Sequence, residues 1–250
     1  ATLKKDPTDL ETLGVVKREL IRRRDWDELV EKMGHSVKYL RRKDGEFEVM
    51  LELAMILWKE VGDLDKAEYY FKRLRHNDSE MEEVLDFYEE YLESKEQWRK
   101  LHLHLVGRLQ HISSERKTRR YTKRIAQVAE VEMNNPEKAI DAWRTFLETF
   151  ADDMEARTEL RRLYEEHEKW NALVEYLRAE LDAAGDDDVA SKVTLLQEIA
   201  AIYRDKVPGG DLNRINALNQ LLELEPGHRG AFDELKELLK QVALNQAKQS

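Results

Sequence analysis

The chain contains no cysteine. Thiol catalysis, disulfide bridges and cysteine-ligated metals are therefore closed to it, and stability has to come from packing. Proline and glycine are scarce, at 4 and 10 residues in 250. So few glycines, scattered along the chain, cannot build the loops that cradle a phosphate or a dinucleotide, and neither His-Glu-x-x-His nor Gly-x-Ser-x-Gly occurs. With Glu, Lys, Leu, Ala and Arg abundant, the same scarcity favours helix over strand. Apolar runs fall far short of the roughly 18 residues that a membrane-crossing helix needs. The opening residues, Ala1 to Asp6, lack the apolar core of a signal peptide. These absences predict no membrane insertion and a cytoplasmic location, or a periplasmic one if a signal has been removed. The missing initiator Met fits Met removal, signal cleavage or a piece of a longer protein.

Charge is plentiful but lopsided. Asp and Glu number 52 against 42 Lys and Arg, a net charge of −10. An acidic chain is a poor general binder of nucleic acid, which needs basic surface to displace phosphate counterions. Histidines gather only at His102, His104 and His111. His102 and His104 point to different helix faces, and His104 and His111 lie two turns apart. No metal site, cofactor or catalytic centre is expected.

The chain repeats itself. Trp26, Trp98 and Trp170 are spaced by 72 residues, and each is followed by apolar residues three and seven positions on: Leu29 and Met33, Leu101 and Leu105, Leu173 and Leu177. That is one face of a helix, restarted at a fixed interval, which is the mark of a stacked array. A second turn recurs between them, Gly62-Asp63-Leu64 and then Asn134-Asn135-Pro136, with Ala67 and Ala139 again 72 apart. Its third copy, Gly210-Asp211-Leu212, comes four residues late. Asp, Asn or Gly starts each following helix, and Pro136 suits a first helical position. Six helix pairs result, at about 7–44, 45–78, 79–115, 116–152, 153–186 and 187–227, closed by a capping helix at about 228–245. The cap's expected apolar face is Phe232, Leu235, Leu238 and Leu239.

Two segments carry more than the array requires. In the helix from Phe47 to Val61, one stripe (Leu53, Ile56, Leu57) supplies a core face, and Leu51, Met55 and Trp58 supply a second. A helix apolar on two sides is covered by a neighbouring helix, docks a partner segment or self-associates. The second segment is the basic run Arg116, Lys117, Arg119, Arg120, Lys123 and Arg124. It neutralises the acidic stretch from Glu80 to Glu96, clamps a carboxylate-bearing peptide or contacts an RNA backbone.

The second halves resemble tetratricopeptide repeats. Ala54, Ala126 and Ala200 stand where that pattern needs a small residue on the first helix, Ala67 and Ala139 where it needs one on the second, and Phe71 and Trp143 follow four residues later. Lys17, Glu89 and Arg161 occupy the small first-helix position of the other halves, and Ile215 replaces the last second-helix Ala. The alternation is similar to that of bacterial tandem arrays. The resemblance implies an all-α, right-handed α-solenoid spanning 1–250 as a single array, with an inner groove lined by the first helix of each pair. Carried onto this chain, the groove positions include Leu51, Met55 and Trp58, then Glu83, Asp86, Glu90 and Glu93, then Arg120 and Lys123, Arg162, and Arg204. The implied function is a non-catalytic scaffold binding a peptide or helix of a protein partner. An architectural subunit of an RNA-processing complex, of the half-a-TPR type, is the alternative. Leu51, Met55, Trp58, Arg120, Lys123, Arg162 and Arg204 are the expected partner-binding residues.

Overall fold

A computed structural model describes residues 6–249, with side chains described through residue 244. Thirteen α-helices follow one another, and among the described residues there is no strand. They divide between two compact units, Ala1–Asn134 and Asn135–Ser250.

The first unit holds α1 (Leu10–Arg23), α2 (Trp26–Tyr39), α3 (Glu46–Ile56), α4 (Leu64–Asn77), α5 (Glu82–Ser94), α6 (Trp98–Leu109) and α7 (Glu115–Gln127). The second holds α8 (Pro136–Thr149), α9 (Met154–Glu166), α10 (Trp170–Ala183), α11 (Val189–Asp205), α12 (Asp211–Leu224) and α13 (Arg229–Gln249). Within each unit every helix packs chiefly on its neighbours in sequence, as in a stacked array. The division falls inside the span 116–152, between α7 and α8.

Helix starts follow the expected chemistry. The carboxylates of Asp9, Asp25, Asp63, Asp153 and Asp188, and the amide oxygen of Asn135, accept a backbone N–H three residues on. Each such cap satisfies a donor that the helix itself leaves open.

The ends of the leading helices carry a second repeat. Arg24, Gly62, Glu96, Asn134, Glu168 and Gly209 all have positive φ, between 48° and 75°. Each is the left-handed residue that lets the chain reverse into the next helix. Two of the leading helices also widen before that residue: Leu57–Val61 after α3 and Val128–Glu132 after α7 are π-helical turns. Arg24, Glu96 and Glu168 give no sequence sign of this, because glycine is the usual occupant of that conformation.

The core is built as the spacing predicts. Leu29, Met33, Leu101, Leu105, Leu173 and Leu177 are buried, as are Ala54, Ala126, Ala200, Ala67, Ala139, Phe71 and Trp143. Trp26, Trp98 and Trp170 are the first residues of α2, α6 and α10 and only half-buried. The Trp170 ring receives the Lys206 ammonium at 4.9 Å. Two details depart from expectation. On α12 the fully buried small residue is Ala217, whereas Ile215 is half-buried, consistent with the longer turn before it. On α13 the packed face runs through Ala231 and Leu238, and Phe232 and Leu239 are 57% and 48% exposed. The inward face keeps Leu235, half-buried, and Leu238, and takes Ala231 in place of Phe232 and Leu239; Arg214 of α12 pairs with Glu234 on the same helix at 2.6 Å.

The small-residue positions of the degenerate halves are filled by salt bridges. Lys17 pairs with Glu52 at 2.5 Å, Glu89 with Arg108 at 3.3 Å, and Arg161 with Glu180 at 3.6 Å and also with Glu198. A long side chain is tolerated here because its charged tip reaches past the helix contact to an opposite charge.

Candidate functional site

A groove of about 1240 Å³ opens in the first unit. One wall is α5, whose row Glu82, Glu83, Asp86, Glu89, Glu90 and Glu93 faces into it. Glu82, Asp86, Glu89 and Glu93 recur every three to four positions, with Glu83 and Glu90 beside them, so one broad helix face carries them all. The opposite wall is α7 with Lys117, Arg120 and Tyr121. Between them α6 contributes Leu103, His104, Gly107 and Arg108. Met55 from α3 and Trp58 from the π-helical turn close one side, and the α6–α7 loop adds His111 and Ile112.

Arg108 ties the walls together. Its side chain is 8% exposed and donates to Asp86 at 2.6 Å and Glu89 at 3.3 Å, while Glu82 lies at 3.5 Å. The guanidinium carbon also sits 5.2 Å from the centre of the Tyr121 ring, and the Tyr121 hydroxyl donates to Glu89 at 3.4 Å. Burial penalises the Arg108 charge, but the Asp86 hydrogen bond and the charges of Tyr121, Asp86 and Glu89 outweigh it and hold its pKa above the ordinary value. Burial likewise pushes the Tyr121 hydroxyl up to about 12. His104 faces the Leu85 carbonyl oxygen at 2.8 Å, and burial lowers its pKa. Arg108, Asp86, Glu89 and Tyr121 thus brace one another.

The sequence-based groove positions separate into three groups. Met55, Trp58 and Arg120 come together on this groove, along with Glu83, Asp86, Glu90 and Glu93. Leu51 is half-buried on α3 and Lys123 exposed on α7, both outside the lining. Arg162 and Arg204 belong to the second unit, where Arg162 bonds Glu159 and Glu166, and Arg204 bonds Asp205 and approaches Glu234 at 3.5 Å.

Trp58 calls for separate comment. It is only 6% exposed, and its ring meets Phe71 and Phe87 edge-on at 5.8 and 5.6 Å. Phe71 and Phe87 stack at 4.1 Å. The Lys59 ammonium lies 3.2 Å from the Trp58 ring centre. Of the alternatives open for the second apolar stripe, coverage by neighbouring helices is what Trp58 has. Its indole N–H is buried without a hydrogen-bond partner.

The basic run of α7 is partly engaged. Arg124 pairs with Glu93 at 2.5 Å and Arg119 with Glu115 at 3.0 Å. Sequence reasoning missed Arg108, Tyr121 and Leu103. The available sign was Arg108 itself, which continues the apolar stripe Trp98, Leu101, Leu105 with a charge. Among the described residues no group of His, Asp and Glu side chains could hold a metal, and no helix is long and apolar enough to cross a membrane.

Helices stacked on their sequence neighbours within each unit, with small residues buried at Ala54, Ala67, Ala126, Ala139 and Ala200, make this the fold of a TPR-like helical-repeat protein. Among solved structures, one of Naa15/Naa10 bound to HypK-THB is similar with a TM-score of 0.53 and 14% identity, over 95% of this chain and 35% of that chain. A TPR repeats protein from Bacteroides fragilis has a TM-score of 0.46 at 9% identity, over 94% and 99% of the two chains. YrrB, a TPR protein with an unusual peptide-binding site, has a TM-score of 0.37 at 14% identity, over 80% and 96%. Comparison of the sequence with protein-family models gives no match, and neither does comparison with curated proteins.

Proposed function

We propose that the protein is a non-catalytic interaction scaffold and that the groove of the first unit holds a peptide or helical segment of a protein partner. The observation that carries this is the groove itself. It is wide enough for a polypeptide segment, and it offers apolar contacts at Met55, Leu103 and Ile112 between rows of ionised side chains. Leu103 is 66% exposed on its floor, an apolar side chain available for a partner to cover. In the groove, Arg108 and Tyr121 are shifted upward, Arg108 by its carboxylate neighbours and Tyr121 by burial, and both are tied up by those neighbours, which suits a binding surface better than an active site. The RNA alternative gains no support from α7, because Arg119 and Arg124 already face carboxylates.

The test is selection of random displayed peptides on the full chain, followed by binding of the enriched peptides to Leu103→Arg. This position is exposed, so the substitution leaves the helix content intact by circular dichroism. The expected result is loss of binding by the variant. Enriched peptides that bind the variant as well as the parent chain would refute the groove assignment.

A further inference from the structure

The two walls of the groove do not carry equal charge. Seven carboxylates line it, from Glu80 to Glu93. Three cations engage them: Arg108 holds Asp86 and Glu89, Arg124 holds Glu93, and Lys59 stands 3.7 Å from Glu90. A clear negative excess remains on this wall. The carboxylates are also accessible: the side chains of Glu82, Asp86, Glu90 and Glu93 are between 48% and 73% exposed. Across the groove stand Lys117 and Arg120 of α7, and Arg75 of α4 also lines it, all three exposed. The chain as a whole carries −10, so its long-range field has the same sign as this wall.

We infer that the groove's occupant is a basic segment, with Lys or Arg side chains directed at α5 and apolar side chains at Leu103 and Met55. This rests on the groove reading above and adds the partner's chemistry to it. The sign is opposite to the carboxylate-bearing peptide that the basic run of α7 suggests from sequence. It follows from pairing: Arg124 is already committed to Glu93, whereas Glu82, Asp86 and Glu89 share a single guanidinium. Lys117 and Arg120 supply a smaller opposite charge that fixes which way round the segment lies, since a reversed orientation would set cation against cation.

The experiment uses the full chain and two synthetic helical peptides of equal length sharing one leucine stripe. One carries Lys and Arg beside that stripe and the other Glu and Asp, and binding is read by fluorescence anisotropy. The basic peptide is expected to bind about tenfold or more tightly than the acidic one. The preference should shrink as salt rises from about 0.1 M toward about 1 M, because the exposed carboxylates become screened. The double variant Glu83→Lys with Glu90→Lys should weaken the basic peptide by about tenfold or more. Leu103→Arg should weaken both peptides. An acidic preference, or equal binding of both peptides at low salt, overturns the charge inference while dependence on Leu103 keeps the groove. No binding of the basic peptide also overturns it, and the groove then stands on the displayed peptides alone. Binding indifferent to Leu103→Arg overturns the groove and the inference together.

Discussion

Replacing Trp58 by Ala tests whether that residue belongs to the core or to the binding surface. Its ring is 6% exposed and wedged edge-on against Phe71 and Phe87. A tryptophan buries about 150–250 Å². At about 25 cal/mol per Å², removing it from that site costs about 4–6 kcal/mol, of which the remaining Ala recovers a little. Truncations of buried aromatics give about 3–5 kcal/mol, and we expect Trp58→Ala to fall in that range. That is a large fraction of the ~5–15 kcal/mol that holds a typical domain folded. Trp58→Phe separates the contributions. It loses part of the ring but also removes an indole N–H with no partner, a group whose burial costs about 1–3 kcal/mol. The two changes oppose each other, so Trp58→Phe should stay within about 1–2 kcal/mol of the parent. Urea denaturation followed by circular dichroism reads both variants. A loss below about 1 kcal/mol in Trp58→Ala would mean that the aromatic cluster does not hold the first unit together. The consequence for binding studies is direct: a Trp58→Ala chain that fails to bind has lost its groove wall, so the failure says nothing about contact with a partner.

Arg108→Ala should destabilise the first unit by about 2–3 kcal/mol, since it strands Asp86 and Glu89, though both carboxylates retain access to water; chemical denaturation beside Arg108→Lys, which keeps a charge but not the fork, checks this. Glu96→Gly relieves a left-handed residue with φ of 53° and should stabilise by about 0.5–1 kcal/mol, while Gly62→Ala, at φ of 74° with no atom within 4 Å of an added Cβ, should lose about 1 kcal/mol from backbone strain alone; paired melting curves decide both. Burial raises the hydroxyls of Tyr88 and Tyr121 to about 12 each. Their neutral forms are favoured in the folded state, so this stability is fully present below the unfolded value near 10 and is lost as pH rises toward about 12. Alkaline titration of phenolate absorbance should show both ionising late and together with unfolding, and ordinary titration in the folded chain would contradict the burial.

Much of the fold is legible in the sequence because its signals are local and repeated. A cap residue, a three-and-seven apolar stripe and the small residues of the alternate pairs are each visible within a dozen residues. The acidic row from Glu83 to Glu93, and its meeting with Arg120 and Met55 on one groove, is what the groove positions of the tetratricopeptide resemblance imply for this chain. Trp58 shows where this stops. Its spacing marks it as a second apolar stripe, but whether a stripe is covered depends on where α4 and α5 land, which is a tertiary fact. The cap helix shows a related limit: Leu235 and Leu238 turn inward as expected but Phe232 and Leu239 do not, because which flank of the stripe packs depends on where α12 lies. The left-handed residues at Arg24, Glu96 and Glu168 are hidden more deeply, because the side chains present there are ones that disfavour that backbone.

Repetition brings a hazard, since an element that fits one site in a chain nearly fits its counterpart. Glu89 and Arg161 occupy equivalent positions 72 residues apart, and so do Arg108 and Glu180. The pair Glu89–Arg108 therefore reappears as Arg161–Glu180 with its polarity inverted. A helix that docked one double unit out of place, during folding or between two chains, would set Glu89 beside Glu180 or Arg108 beside Arg161. Part-buried like charges repel and lose their hydration together, so the misplaced arrangement is penalised where the correct one is rewarded. The inverted pair thus acts as a key that tells otherwise similar helices apart.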